Sequence, residues 1–325
     1  MKERKRAPVS TTAPTAEQRA ARRERLLPLL IDLDDGLVED VKLRELAGKL
    51  GTSPFHFHRL FTRIVGETPK KHVERIRLEK AALLLAVTND PVLDIGLAVG
   101  FKNAETFTRR FKKFVGHTPS SYRRMAKAAQ TKRLETVNFF GSSEYTLGRA
   151  RFERLPAMTL LAMRRVGDYG ALHDDYSRAS PWSALTDFAA ARRIAVQPMR
   201  IGIFYDDPTL TPPEQQRADL CVPIERSVSC GGPLRCIEFR GGTYALIEYT
   251  GRTGTVIDAF RAVADEIRRS DRYDFGDGPP LEIVHAIDVG GVTGVYRFDA
   301  AFPVRRLRKP ADESKNRQDG GPRRR

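Results

Sequence analysis

One pattern occurs twice in this 325-residue chain. Leu46 to Pro69 reads LAGKLGTSPFHFHRLFTRIVGETP, and Ile95 to Pro119 reads IGLAVGFKNAETFTRRFKKFVGHTP. Phe57, Phe61, Gly66, Thr68 and Pro69 return as Phe107, Phe111, Gly116, Thr118 and Pro119, fifty positions on. Upstream of the turn the offset falls by one, so the second copy carries one extra turn residue. A duplicated unit constrains the fold before any single motif does.

Each unit reads as a short apolar helix, a turn at Gly51 or Gly100, and a second helix. Ser53 and Asn103 suit the N-cap, where a side-chain oxygen accepts from the free N–H groups of the first turn. Pro54 suits the first helical position, where its missing N–H is not needed. At 100° per residue, Phe57, Leu60, Phe61 and Ile64 share one face, and Phe55, His58, Arg59 and Thr62 the other. The second copy sets Phe107, Phe111 and Phe114 inward, with Glu105, Thr108, Arg109 and Lys112 outward. A helix with a packed back and an Arg on its front suits a DNA major groove, where Arg bonds guanine through two parallel hydrogen bonds. The bland alternative is a solvated charged face. It fits one helix well, but not two copies at matched spacing that both end Gly-x-Thr-Pro.

On these residues the chain resembles the DNA-binding domain of AraC/XylS-family transcription regulators. The first half is carried by Leu46-Ala47, Ser53, Arg59, Phe61, Gly66 and Thr68-Pro69. The second half is carried by Ile95, Gly100-Phe101, Phe107, Arg109, Phe111, Gly116, Thr118-Pro119 and Tyr122-Arg123. Gly96 departs from it, since the family usually has Ala there; glycine costs a helix about 1 kcal/mol. The resemblance implies seven helices, with a long linking helix from about Pro69 to Ala86. It also implies two reading heads on successive major-groove segments of double-stranded DNA, about 34 Å apart. The DNA-binding set it implies is Ser53, Phe55, His58, Arg59 and Arg63 in the first head. In the second it is Asn103, Ala104, Glu105, Thr106, Arg109, Lys112 and Lys113.

Charge supports that half as the nucleic-acid partner. The net charge is +15, unevenly distributed. Asp40 to Arg133 holds 20 Lys/Arg against 8 Asp/Glu, whereas Ala150 to Ala300 holds 18 against 21. The basic part has the footprint of a phosphate-binding surface. Cys221, Cys230 and Cys236 lack metal-site spacing and fit free thiols in a cytoplasmic protein; Cys230 and Cys236 would bridge only if a hairpin brought them together. No apolar run is long enough for a membrane span, and the basic N-terminus lacks the apolar stretch of a secretory signal.

The expected division is a disordered basic tail over 1–20, the double helix-turn-helix domain over 21–129, a linker over 130–148, a second domain over 149–308 and a disordered tail over 309–325. A first helix is expected at about Ala16 to Asp32, and a strand within the linker at Leu134 to Phe140. The second domain reads as strand–strand–helix–strand twice, with Leu234–Glu238 and Thr243–Thr250 as a hairpin around Arg240-Gly241-Gly242. The fold class is therefore an all-α head followed by an α+β domain with an antiparallel sheet and a pseudo-twofold ββαβ repeat.

Val166-Gly167-Asp168-Tyr169, Trp182, Phe204 to Pro208 and Pro279 to Ile283, in this order, resemble the GyrI-like small-molecule-binding domain. That resemblance implies an aromatic cleft between the two halves, with Glu282 as the acid that balances a cationic, apolar effector. The physical logic is independent: a carboxylate and ring faces both attract a delocalised cation. Val284 departs from the family's usual Tyr. Trp182, Tyr205, Tyr249 and Tyr169 complete the expected ligand set. Each has an ordinary reading too: Trp182 as core, Glu282 as a solvent-facing strand residue. The histidines are too scattered to suggest a metal, and neither a cofactor nor a catalytic set is expected. The whole reads as a one-component transcription regulator, not an enzyme, whose partners are DNA, an effector and RNA polymerase. A small-molecule hydrolase using Glu282, or a protein-partner module, is the alternative for the second domain.

Overall fold

The computed structural model describes residues 26–34, 42–134, 145–169, 181–231, 233–251, 255–287 and 296–307. The expected tails, 1–20 and 309–325, lie outside them, as does most of the strand expected at 134–140.

The helical part holds α1 (residues 26–34), α2 (Leu43–Lys49), α3 (Pro54–Val65), α4 (Pro69–Val87), α5 (Val92–Ala98), α6 (Ala104–Val115) and α7 (Pro119–Leu134). The repeated Gly-x-Thr-Pro has a local cause. Gly66 and Gly116 each end a helix at φ 87°, a left-handed conformation that glycine adopts without a Cβ penalty. Thr68 and Thr118 then accept from the N–H of Lys71 and Ser121, both at 3.3 Å, and Pro69 and Pro119 start the next helices. Phe57 and Phe61 are fully buried against α1, α2 and α4. Phe107 and Phe111 are equally buried against α4 and α5. α4 thus contributes to both cores, and its stiffness fixes one head relative to the other.

Three details differ from the sequence reading. Phe114 remains 39% exposed: in the last turn of α6 it is the next residue, Val115, that packs against the core. α7 runs to Leu134, and Tyr145–Leu147 forms β1 on β7, so the expected linker contributes structure at both ends. Gly96 is no loosening defect: a Cβ there would sit 2.8 Å from Cδ1 of Phe107. The absent methyl lets α5 close against α6.

The second part holds β2 (Arg151–Leu155), β3 (Met158–Val166), α8 (Pro181–Ala191), β4 (Arg200–Phe204) and β5 (Arg217–Ile224). It repeats as β6 (Leu234–Phe239), β7 (Gly242–Gly251), α9 (Val256–Arg269), β8 (Tyr273–Phe275), β9 (Leu281–Ile287) and β10 (Tyr296–Arg306). After its helix the first half closes with two strands and the second with three, where the expected ββαβ repeat has one. The order is β1-β7-β10-β9-β4-β5-β3-β6, with β2 also on β7 and β8 on β10, every pair antiparallel.

The expected hairpin at Arg240-Gly241-Gly242 does not form. β6 pairs with β3, and β2 pairs with β7, so each half lends its first strand to the other. The two tight connections cross. Gly241, at φ 66°, lies so close to the opposing turn that a Cβ would meet the Leu155 carbonyl oxygen at 2.5 Å. Glycine is required there for close approach as well as for conformation. α8 lies over β3 and β5, α9 over β7, β8 and β10, and β4 and β9 form the floor between them.

Candidate nucleic-acid interface and effector cleft

Ser53 and Asn103 are spent on their helices. Ser53 Oγ accepts from His56 N at 3.3 Å, and Asn103 Oδ1 accepts from Thr106 N at 2.8 Å. Beyond these caps the outward side of α3 presents Phe55, 72% exposed, with Arg59 and Arg63; His58 is half-buried. The Arg59 guanidinium lies 5.8 Å from the Phe55 ring, which steadies both on one surface. α6 presents Ala104, Glu105, Arg109, Lys112 and Lys113, with Thr106 half-buried. Among the described residues, Arg63, Arg109, Lys112 and Lys113 form no ion pair, whereas the neighbouring Arg110 is paired with Glu74 at 3.4 Å. Cations left unneutralised on two equivalent faces are available to phosphates and bases.

The second candidate site lies on the helix-covered face of the sheet. Glu282 on β9 is 1% exposed, and Tyr296 Oη donates to its Oε2 at 2.9 Å. Its cross-strand neighbours are Gly202 on β4 and Ala300 on β10, two small residues that leave the space above the carboxylate to rings. Those rings form a chain. Tyr169 meets Phe204 at 5.0 Å between centroids, Phe204 meets Phe260 at 6.1 Å, Phe260 meets Phe298 at 6.1 Å, and Phe298 meets both Tyr296 (4.9 Å) and Tyr249 (5.0 Å). A Cβ on Gly202 would stand 2.9 Å from Cε2 of Phe204, so glycine lets that ring lean over the floor.

Of the expected ligand residues, Glu282, Tyr249 and Tyr169 gather here. Tyr249 Oη shares a 2.6 Å hydrogen bond with Thr255. Trp182 is 1% exposed on α8, on the same side of the sheet, packed into the main core. Tyr205 belongs elsewhere. Strand alternation turns it to the opposite face, where its hydroxyl donates to Asp219 at 2.6 Å and the Arg164 guanidinium stacks 4.5 Å from its ring. Phe204, Phe260, Tyr296 and Phe298 were not in the expected set. Phe204 belongs to the stretch that carries the GyrI-like resemblance; Tyr296 and Phe298 are strand aromatics that read as core, and Phe260 lies on the apolar stripe of α9. An open concavity of about 320 Å³ lies instead at the strand crossing, among Ala157, Met158, Thr159, Glu238, Phe239 and Arg240, and shares no residue with this array.

Two further groupings stand out. Glu248, His285 and Asp299 hold their ligand atoms within 4.8 Å of one another, so His285 is less isolated than its place in the sequence suggests. Asp299 already bonds His285 Nε2 at 2.8 Å and Arg151, which supplies its counter-charge. Cys230 and Cys236 are free thiols 3.6 Å apart, brought together where the β5–β6 connection enters β6. Burial and the Cys236 contact push the Cys230 thiol up to about 11.

The two parts meet through buried charge. Asp34, the last described residue of α1, holds Arg164 and Arg217 of the sheet, each 3.0 Å from Oδ2. Its Oδ1 lies 3.5 Å from Nε2 of His72 on α4, an attraction between charges rather than a formed hydrogen bond. Burial raises the Asp34 carboxyl, but Arg217, His72 and Arg164 outweigh it and hold it at about 2. Burial likewise opposes charge on His72, yet Asp34 and Glu67 leave it raised above the ordinary imidazole value. At the periphery, Leu210 packs into the second head's core and Arg305 bonds Asp90 at 2.6 Å.

Comparison with known proteins accords with this geometry. Residues 46–125 match a helix-turn-helix domain family, and residues 150–289 match the GyrI-like small molecule binding domain. Transcriptional regulator Rob of Salmonella typhimurium is 25% identical over 245 residues, 71% of this chain and 80% of Rob. The Transposon Tn10 TetD protein of Escherichia coli is 36% identical over 96 residues, 30% of this chain and 70% of TetD. The HTH-type transcriptional regulator Rv1931c of Mycobacterium tuberculosis is 45% identical over 83 residues, 26% of this chain and 32% of that protein. Several other relatives are matched over about a third to a half of their length. No described helix is long and apolar enough to cross a membrane.

Proposed function

We infer the function from one premise: the chain belongs to the AraC-type helix-turn-helix transcription regulators and carries a C-terminal GyrI-like small-molecule-binding domain. On that footing it is a cytoplasmic one-component regulator rather than an enzyme. α3 and α6 enter successive major-groove segments of an operator, and the bound chain addresses RNA polymerase. The observation that carries this reading is the pair of outward faces bearing Arg59 with Arg63 and Arg109 with Lys112 and Lys113, each braced from behind by two buried phenylalanines. Arg59 and Arg109 read bases, the flanking cations hold phosphates, and Phe55 and Ala104 offer apolar contact to a thymine methyl.

In the same reading the cleft binds a delocalised, apolar cation. Glu282 supplies the negative charge, and Tyr169, Tyr249, Phe204, Phe260 and Phe298 supply ring surface. A buried carboxylate with a tyrosine donor is a strong counter-ion once water is excluded. No nucleophile–base pair accompanies Glu282 among the described residues, which is why binding is preferred to hydrolysis. Trp182 fluorescence provides the test, with tetraphenylphosphonium and the neutral, similarly shaped triphenylphosphine oxide as probes. Saturable quenching by the cation, weakened about tenfold or more in Glu282→Gln with the neutral probe unchanged, is the expected result. Equal loss for both probes would remove Glu282 as the counter-ion.

A further inference from the structure

The cluster around Asp34 has no role in either site, yet it is the buried point where the effector domain reaches the first reading head. Three observations bear on it. First, the Asp34 side chain is only 7% exposed, and a carboxylate taken out of water is unfavourable without partners. Its place is explained by Arg164 and Arg217, each 3.0 Å away on β3 and β5. Second, the contact continues into the head, since Asp34 also faces His72 in the first turns of α4. Third, it continues into the cleft. The Arg217 carbonyl accepts from Tyr169 Oη at 2.7 Å. Arg217 binds Asp206 through its side chain and its N–H, and the Asp206 N–H donates to Tyr169 Oη at 3.1 Å. Tyr169 is at once a ring of the aromatic array and the hydroxyl that closes this triangle.

We propose that Asp34 is a positioning residue for DNA reading: it clamps the first head to the effector domain, and an effector that moves Tyr169 is communicated to α1 and α4 through Arg217. The proposal rests on the effector reading above. Displacing the Tyr169 ring removes its hydroxyl from the Asp206 N–H and the Arg217 carbonyl, lets the main chain that carries the Asp206–Arg217 pair shift, and so moves the Arg217 guanidinium that holds Asp34. Among the described residues the second head makes no ion pair with Asp34, although Glu79 of the shared helix α4 lies in the field of Asp206 and Arg217. The second head's link to the effector domain runs through Leu210 and the Asp90–Arg305 pair, so the response is expected in one head and not the other.

Hydrogen–deuterium exchange on the full chain tests this, comparing wild type, Asp34→Asn and Asp32→Asn, whose aspartate is an exposed neighbour on the same helix. Asp34→Asn is expected to raise exchange about tenfold or more over residues 26–34 and 43–65. Residues 92–115 and the strands β3 and β5 keep their protection, and Asp32→Asn matches wild type. In the wild type, saturating tetraphenylphosphonium is expected to change exchange over the same segments, and in Asp34→Asn it no longer does so although Trp182 still reports binding. Unchanged exchange in Asp34→Asn, or a rise spread evenly over both heads and the sheet, overturns the proposal. So does a ligand response confined to the effector domain. A flat Trp182 signal in the wild type instead defeats the effector reading, and the variant comparison then decides the clamp alone.

Discussion

At some single residues one added atom decides the outcome. Gly96→Ala is such a case. On an open helix face the change would stabilise by about 1 kcal/mol. Here the new methyl meets the Phe107 ring at 2.8 Å, in a core with no room to relax, so overpacking of about 1–3 kcal/mol wins. A lowered thermal midpoint is expected, and a raised one would show that α5 can slide. Arg59→Ala and Arg109→Ala should each weaken binding to the cognate duplex by about 1–3 kcal/mol and relax the base preference at one position. An unaltered affinity for either variant would mean that the reading face is misassigned. The outward position of Arg59 and Arg109 was legible in the sequence because helical periodicity alone fixes which side faces out. Tyr205 was not, since β4 ends one residue before it and only strand alternation sends it to the far side of the sheet.

Among the elements, α4 and the exchanged strands govern the behaviour. The cluster on α1 and α4 gives stability a predictable pH dependence. Asp34 has a folded pKa depressed to about 2 from 3.8, so its contribution is present above about pH 4 and is lost as pH falls towards 2. His72 has a folded pKa raised above 6.5, so its contribution is full below that value and is lost as pH rises through the raised one. Against the cost of burial, His72 and Arg75 hold the Glu67 carboxyl below its ordinary value; Glu67 and Arg75 face the same imidazole and are both charged on the alkaline side. The thermal midpoint should therefore decline on both sides of a mildly acidic optimum, and His72→Gln should flatten the alkaline side. An alkaline limb equally steep in that variant would assign the loss to other groups. The helices were readable because caps, turns and periodicity are local. The pairing of β6 with β3 was not, because Arg240-Gly241-Gly242 is as good a hairpin turn by composition as a crossing point by geometry. The aromatic array was equally hidden, since it comes together only through register across β4, β9, β10 and α9.

For the molecule as a whole, two charged helical heads share one rigid helix and are joined to a twofold-repeated sheet by buried ions. The division into a basic helical part and a slightly acidic α+β part was visible in the distribution of charge. The contact between them was not: Asp34 and Arg164 are 130 residues apart, and nothing local marks either as a partner. With α3 and α6 as its reading heads, one chain is expected to read two successive major-groove segments. The direct measurement is hydroxyl-radical footprinting on a duplex selected in vitro by the wild-type protein, repeated with Arg59→Ala and Arg109→Ala. Two protected segments about one helical turn apart are expected, with each variant losing a different one. A single protected segment, or two that weaken together in both variants, would contradict the assignment of α3 and α6 as independent reading heads.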